Sequence, residues 1–353
     1  MKVVIKVKIM GEQHLKILLD GVVSMGDLEF AELVRNHFDT TAKGEQRELA
    51  CLNMSHNQTW RAILPRVYLT LNDPSRDVYA VAMEYLRDVD AFTHLDTVED
   101  VTVWSEADIN DVFQGIAAIH ALYYGNTNAI PDEIKKYLNM IELSDIYQNR
   151  HHQQSFIRMV KYVTGNHSSL LETTGTKQVL QNSIDNIDQV CAILCKSPAT
   201  LVHNDFSVRN VCLRRSESPP KRGSDTSRVI VYDWEFARIM VPQHDIAEFI
   251  AFVLPERSKP EAWEKYMEMY REIFFGELEK LGVAPELLET VSNKEKFRKV
   301  FHMCVIEFVW NRLGGYMYMA KMIPQNASFL ARVSENVYNY MGAFAKEYTF
   351  LAD

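Results

Sequence analysis

Residues 200–215 read "TLVHNDFSVRNVCLRR", and residues 229–239 read "VIVYDWEFARI". The first stretch sets His203, Asp205 and Asn210 between two apolar runs; the second ends a β-branched run at Asp233. Taken one at a time, these are the residue types that end strands and form turns. Together they supply most of what phosphoryl transfer from a nucleotide requires. One carboxylate must orient an attacking hydroxyl and accept its proton. Further oxygen ligands must hold Mg²⁺ against the triphosphate, a lysine must neutralise phosphate oxygens, and a second carboxylate must hold that lysine. Asp205, just past an apolar strand, is the candidate base. Asn210 and Asp233 are the candidate metal ligands. Lys6 on the first strand and Glu48 on the following helix are the candidate phosphate lysine and its partner, with Lys8 and Glu45 as alternatives.

These groups need strands and helices to aim them. Residues 3–9, "VVIKVKI", alternate β-branched residues with lysines and read as a strand with one wet face. "DLEFAELVRNHF" suits a helix, and "TTAKGEQRELACLNM" starts another, with Thr40 or Thr41 as its cap. "AILPRVYLTL" and "VYAVAMEYL" read as two strands around the turn "NDPSRD". "WSEADINDVFQGIAAIHALYYG" is an amphipathic helix closed by Gly125, and helices continue to about residue 196. A short β region carries the two motifs around the polar loop 216–227, and the chain is helical from "QHDIAEFIAFVL" onward. The expected division is a β-rich N-terminal lobe over 1–88 and a larger helical lobe over 89–353.

Composition narrows the function classes. Of 353 residues, 47% are apolar, enough for a large core in two lobes. A formal charge of −9 argues against nucleic acid as the main ligand, since phosphate backbones want a basic face. Five cysteines, an odd number with no CxxC, read as buried thiols in a reducing compartment. Lys6 and Lys8 interrupt any leader core, and no apolar run approaches a membrane span. The expectation is a soluble, cytoplasmic protein with no nucleic-acid or membrane partner.

"VHNDFSVRNVCL" and "VYDWEFARIMVPQHDIAEF" resemble the aminoglycoside phosphotransferase and choline kinase-like family of small-molecule kinases, whose catalytic loop reads His-Gly-Asp-x-x-x-x-Asn and is followed by Asp-Trp-Glu or Asp-x-Glu. The resemblance implies an α+β, protein-kinase-like bilobal fold using ATP and Mg²⁺. It makes Asp205 the catalytic base, His203 a support of its loop, Asn210 and Asp233 the Mg²⁺ ligands, and Asp245 a buttress of the loop. "VVIK" resembles the strand bearing the ATP lysine, "QRELACL" the helix bearing its glutamate, and "AVAMEYL" the hinge strand. The backbone of Glu84, Tyr85 and Leu86 would then bind adenine.

Three departures stand out: Asn204 replaces the usual glycine, Ser207-Val208 replaces His-Pro or Asn-Pro, and Lys6 follows Met1 almost at once. The last leaves no room for the two strands and phosphate-covering loop that precede the lysine strand in the family. The N-terminal lobe is therefore expected to lack its first strands and to expose a sheet edge open to association with another chain.

The implied activity is transfer of the γ-phosphate to a hydroxyl of a small molecule. The alternative is a non-catalytic or truncated kinase-like module that acts by binding a partner. Among the remaining residues, His120 and Trp234 read as core, Glu235 as a metal contact or a turn support, and Arg214 with Arg215, Lys221 and Arg222 as a solvated tip. Glu256, Glu261 and Glu307 would suit a cationic acceptor, though most read as surface charge.

Overall fold

The computed structural model describes residues 3–8, 20, 28, 44–76, 78–86, 101–138, 150–166, 168–214, 228–316 and 327–351. The expected helix at 27–38, the caps Thr40 and Thr41, the loop 216–227 and the lobe boundary at 88/89 lie outside them, apart from Leu28, which is helical.

The N-terminal part is an antiparallel sheet of β1 (Val3–Lys8), β2 (Val67–Asp73) and β3 (Val78–Glu84), with β3 in the centre. Lys6 pairs with Val81 and Val81 with Thr70, so these three share one face; Ile5, Ala82 and Leu69 share the other. The wet face is the apolar one. Ile5, Val7, Leu69 and Leu71 are exposed, whereas Lys6 points inward. Two carboxylates wait for the Lys6 ammonium on the inner side, and ion pairing there outweighs leaving some apolar surface wet. Among the described residues, β1 has no strand on its outer side.

Helix α1 (Gly44–Leu52) packs on the turn Trp234–Phe236. Gly44 permits the approach: a Cβ there would lie 3.3 Å from the Glu235 carbonyl oxygen. Arg47 fastens the contact, donating from Nη1 to that carbonyl at 2.7 Å and from Nε to the Tyr137 carbonyl at 3.1 Å. Residues 58–63, partly read as strand, form helix α2 (Gln58–Ile63). Its cap is Asn57, whose side-chain oxygen accepts the N–H groups of Thr59 and Trp60.

The larger part is helical. Helix α3 (Glu106–Tyr123) opens with a capping box, Ser105 and Asp108 bonding each other's backbone N–H. Helices α4 (Arg150–Asn166), α5 (Ser168–Thr174), α6 (Lys177–Asp185) and α7 (Ile187–Cys195) follow. Two small antiparallel pairs then carry the motifs: β4 (Thr200–Val202) with β7 (Arg238–Met240), and β5 (Val211–Leu213) with β6 (Val229–Val231). Helix α8 (Gln243–Val253) is buried along its whole length, Asp245 and Glu248 included. Around it lie α9 (Pro260–Leu281), α10 (Pro285–Ser292), α11 (Lys294–Phe308) and α12 (Ala327–Phe344), and α11 runs into a π turn, Val309–Leu313. Among the described residues no helix is long and apolar enough to cross a membrane.

Because α3 brings His120 under the motif strands, its start matters. Ser105→Ala should cost about 1 kcal/mol by freeing the capped N–H. It should lower the melting temperature by about 1–2 °C, measured by circular dichroism; an unchanged transition would contradict the capping role.

Candidate active site

The structure brings four widely separated parts of the chain to one place. Lys6 Nζ lies 2.8 Å from Glu48 Oε1 and 2.9 Å from Asp233 Oδ1. Among the described residues, the ion pair falls on Lys6 and Glu48. Asp233 reaches back because it follows β6 in the left-handed region, at φ +67°, a conformation that Asp tolerates better than most residues. An ammonium has three N–H groups; two are used here, leaving one for a ligand oxygen.

The loop 203–210 hangs on Asp245. One Asp245 oxygen accepts the His203 N–H at 2.7 Å and His120 Nε2 at 3.1 Å; the other accepts the Asn204 N–H at 2.8 Å. His120 is core, as expected, but it also steadies this carboxylate, and its Nδ1 meets the Tyr270 hydroxyl at 2.6 Å. Asn204 sits at φ +59°, which explains why Asn can stand where glycine is usual. Its Nδ2 also donates to the Phe236 carbonyl at 2.9 Å.

His203 Nε2 lies 2.9 Å from the Tyr232 carbonyl, and Nδ1 lies 3.3 Å from the Asp205 N–H. A carbonyl on one side and an N–H on the other assign the proton to Nε2. His203 is thus a loop support, with both nitrogens engaged. Trp234 packs between His203 and Trp60, its ring tilted to both, with centroids 4.6 and 4.8 Å away.

Asp205 is almost enclosed. Asn210 Nδ2 donates at 2.8 Å to its carbonyl and at 2.8 Å to its Oδ2. On the other side, Oδ1 accepts from Arg312 Nη2 and, at 2.8 Å, from the Tyr316 hydroxyl; Arg209 lies 3.5 Å away. Burial alone would raise this carboxyl's pKa. Arg312, Arg209 and the Tyr316 hydrogen bond overcome that and hold it well below the usual carboxylate range.

Asn210 and Asp233 fit a hard cation. Asn210 spends its NH₂ on Asp205, which leaves its side-chain oxygen as a donor, and Asp233 adds a carboxylate. Among the described residues no trio of His, Cys, Asp or Glu forms a self-sufficient metal cage. A cation here would complete its shell from phosphate oxygens and water, the habit of Mg²⁺. At the hinge, the Glu84 N–H donates to the Arg66 carbonyl at 2.9 Å, so it is committed within the sheet. The Glu84 side chain accepts from the Arg66 N–H at 2.8 Å and from Arg214. Arg214 is therefore a link from β5 to the N-terminal sheet, not part of a solvated tip. Tyr85 and Leu86 follow directly, Tyr85 exposed.

Several site residues were missed by sequence reasoning. Arg312 and Tyr316 lie more than a hundred residues beyond Asp205, on a segment whose sequence signals only a helix. Glu248, which accepts from Tyr316 at 2.7 Å, could have been found, being one helical turn past Asp245. Glu307 lines no acceptor pocket. It is fully buried, 3.0 Å from both Arg238 and His244, while Glu256 and Glu261 are exposed.

A small sheet lobe and a larger helical lobe, with the motif loops between them, define the protein-kinase-like bilobal fold. Residues 49–283 match the family described as "Ecdysteroid kinase-like", and the chain belongs to that family. The match spans Asp205, Asn210, Asp233 and Asp245. It places the chain among kinase-like proteins. No curated protein matches the sequence.

Similar solved structures include a choline/ethanolamine kinase family protein from Mesorhizobium loti (14% identity, 84% of this chain and 83% of that one, TM-score 0.39). A microcompartment-associated aminopropanol kinase has 12% identity over 85% and 83%, with a TM-score of 0.35. The amicoumacin kinase hAmiN, in complex with AMP-PNP, Ca²⁺ and Ami, has 14% identity over 82% and 78%, with a TM-score of 0.40.

Asp245 generates a prediction. Its carboxyl is buried, which alone would raise its pKa, but the His120 hydrogen bond holds it below the usual carboxylate range. A depressed folded-state value stabilises the protein above the unfolded value, and that contribution is lost as pH falls through the folded one. Asp245→Asn turns one acceptor oxygen into a donor facing N–H groups. It should cost about 2–3 kcal/mol at neutral pH and flatten the decline in stability below about pH 4. Urea melts across pH measure both; equal stability and an equally steep acid limb would contradict this role.

Proposed function

We propose that this protein is a phosphotransferase moving the γ-phosphoryl group of Mg·ATP to a hydroxyl of a small molecule. The observation that carries the reading is Lys6 Nζ held between Glu48 and Asp233, alongside a loop that presents Asp205 and Asn210. Lys6, with one N–H to spare, binds phosphate oxygens, and Glu48 keeps it extended toward them. Leu86, past the committed N–H of Glu84, offers its own N–H to adenine. Asn210 and Asp233 hold Mg²⁺, which neutralises charge on the phosphates. Asp205, kept ionised by its surroundings, orients the acceptor hydroxyl and takes its proton.

The test is ADP release with a panel of hydroxyl metabolites. Asp205→Ala should lower kcat by about 10²–10⁴-fold while keeping the wild-type circular dichroism spectrum. Wild-type turnover in that variant would falsify the assignment.

A further inference from the structure

Asp205 has more partners than a base needs. An ionised carboxylate presents about four lone-pair sites. Arg312 Nη2 and the Tyr316 hydroxyl both sit against Oδ1, and Asn210 Nδ2 takes one site on Oδ2. The second site on Oδ2 lies away from that pair. Resting on the phosphotransferase reading, we infer that Arg312 and Tyr316, anchored by Glu248, are positioning residues that fix Asp205 so that Oδ2 receives the acceptor's proton.

The anchoring is specific. Glu248 is fully buried on α8, and its Oε1 lies 2.7 Å from the Tyr316 hydroxyl and 3.4 Å from Arg312 Nη2. Arg312 Nη2 also donates to the Tyr316 hydroxyl at 2.7 Å. A phenol has one proton, so Tyr316 serves one carboxylate at a time, and Arg312 serves the other. Burying Glu248 is costly unless it is paired and hydrogen-bonded, and its pairing leads straight to Asp205. Helix α8 thus holds the loop twice: through the backbone at Asp245 and through the carboxylate at Glu248.

The π turn delivers the pair. At Val309–Leu313 the helix widens, and Arg312 and Tyr316, four residues apart, both meet Asp205. Asn311 pins the turn, donating at 3.0 Å to the buried Glu307, which Arg238 also holds at 3.0 Å. The Phe236 and Tyr316 rings pack against the Arg312 guanidinium at 5.3 and 5.4 Å, and this limits its swing. In the reaction the acceptor O–H bond breaks and its proton goes to Asp205 Oδ2. The acceptor oxygen bonds the γ-phosphorus as the β–γ bridging P–O bond breaks and ADP leaves. Arg312 and Tyr316 keep their protons throughout.

The experiment uses the full chain and measures kcat, KM for Mg·ATP and melting temperature. Arg312→Ala should lower kcat by about 10–100-fold, the scale of a misplaced reacting group, with nucleotide KM unchanged, and Arg312→Lys should recover part of the loss. Tyr316→Phe, which removes a single oxygen, should lower kcat in the same sense and carries the test if Arg312→Ala melts early. Glu248→Gln should lower kcat in the wild-type background and add nothing once Arg312 and Tyr316 are both replaced, since it acts only through them.

Unchanged kcat in Arg312→Ala and Tyr316→Phe overturns the inference, as does an undiminished Glu248→Gln effect in the double-variant background. If those variants are unaffected while the wild type turns over, the phosphotransferase reading stands and only this inference falls. No turnover by the wild type overturns that reading and this inference together.

Discussion

Three N–H donors converge on one buried carboxylate, Asp245, and the site is built outward from that point. Without them, a buried charge in the first turn of α8 would be untenable. With them, α3, the loop at His203 and the core helix become one rigid piece. The loop's two polar ends then have fixed places: Asp205 between Asn210 and the Arg312–Tyr316 pair, and Asn210 with its oxygen turned away from Asp205. The positive φ of Asn204 lets consecutive N–H groups address both oxygens of the same carboxylate.

A second constraint crosses from the sheet. Lys6 cannot be left unpaired on the inner face of β1, and Glu48 from α1 and Asp233 from the turn after β6 meet it. Arg47 and Gly44 hold α1 against the turn that carries Asp233 and Glu235, so the glutamate and the aspartate keep their spacing around the ammonium. Arg214 adds a link to the end of β3. The cleft is held in register by ion pairs and backbone contacts, and the apolar core lies to either side of it.

The parts of the site legible in the sequence are those set by local order. Asp205, Asn210 and Asp233 stand beside short apolar strands, and their spacing survives folding nearly unchanged. Lys6 and Glu48 were legible as a pair only by analogy with a motif, since nothing local says which face of β1 turns inward. The partners that fix its orientation lie 42 and 227 residues away from Lys6. Helix α2 was partly misread because a short apolar run such as Ala62-Ile63-Leu64 has no decisive period, and its cap Asn57 was overlooked. Arg312 and Tyr316 were invisible for a stronger reason: their role depends on a π turn that no composition or periodicity signals.

The account's central claim is that these residues form a nucleotide site completed by a divalent cation. Calorimetric titration of ATP into the wild type and into Asp233→Ala, each with Mg²⁺ and with a chelator, tests it most directly. The account predicts that the wild type binds ATP more tightly with Mg²⁺ than without, and that Asp233→Ala loses most of that difference. ATP affinity in the wild type that is absent, or indifferent to Mg²⁺, would contradict it.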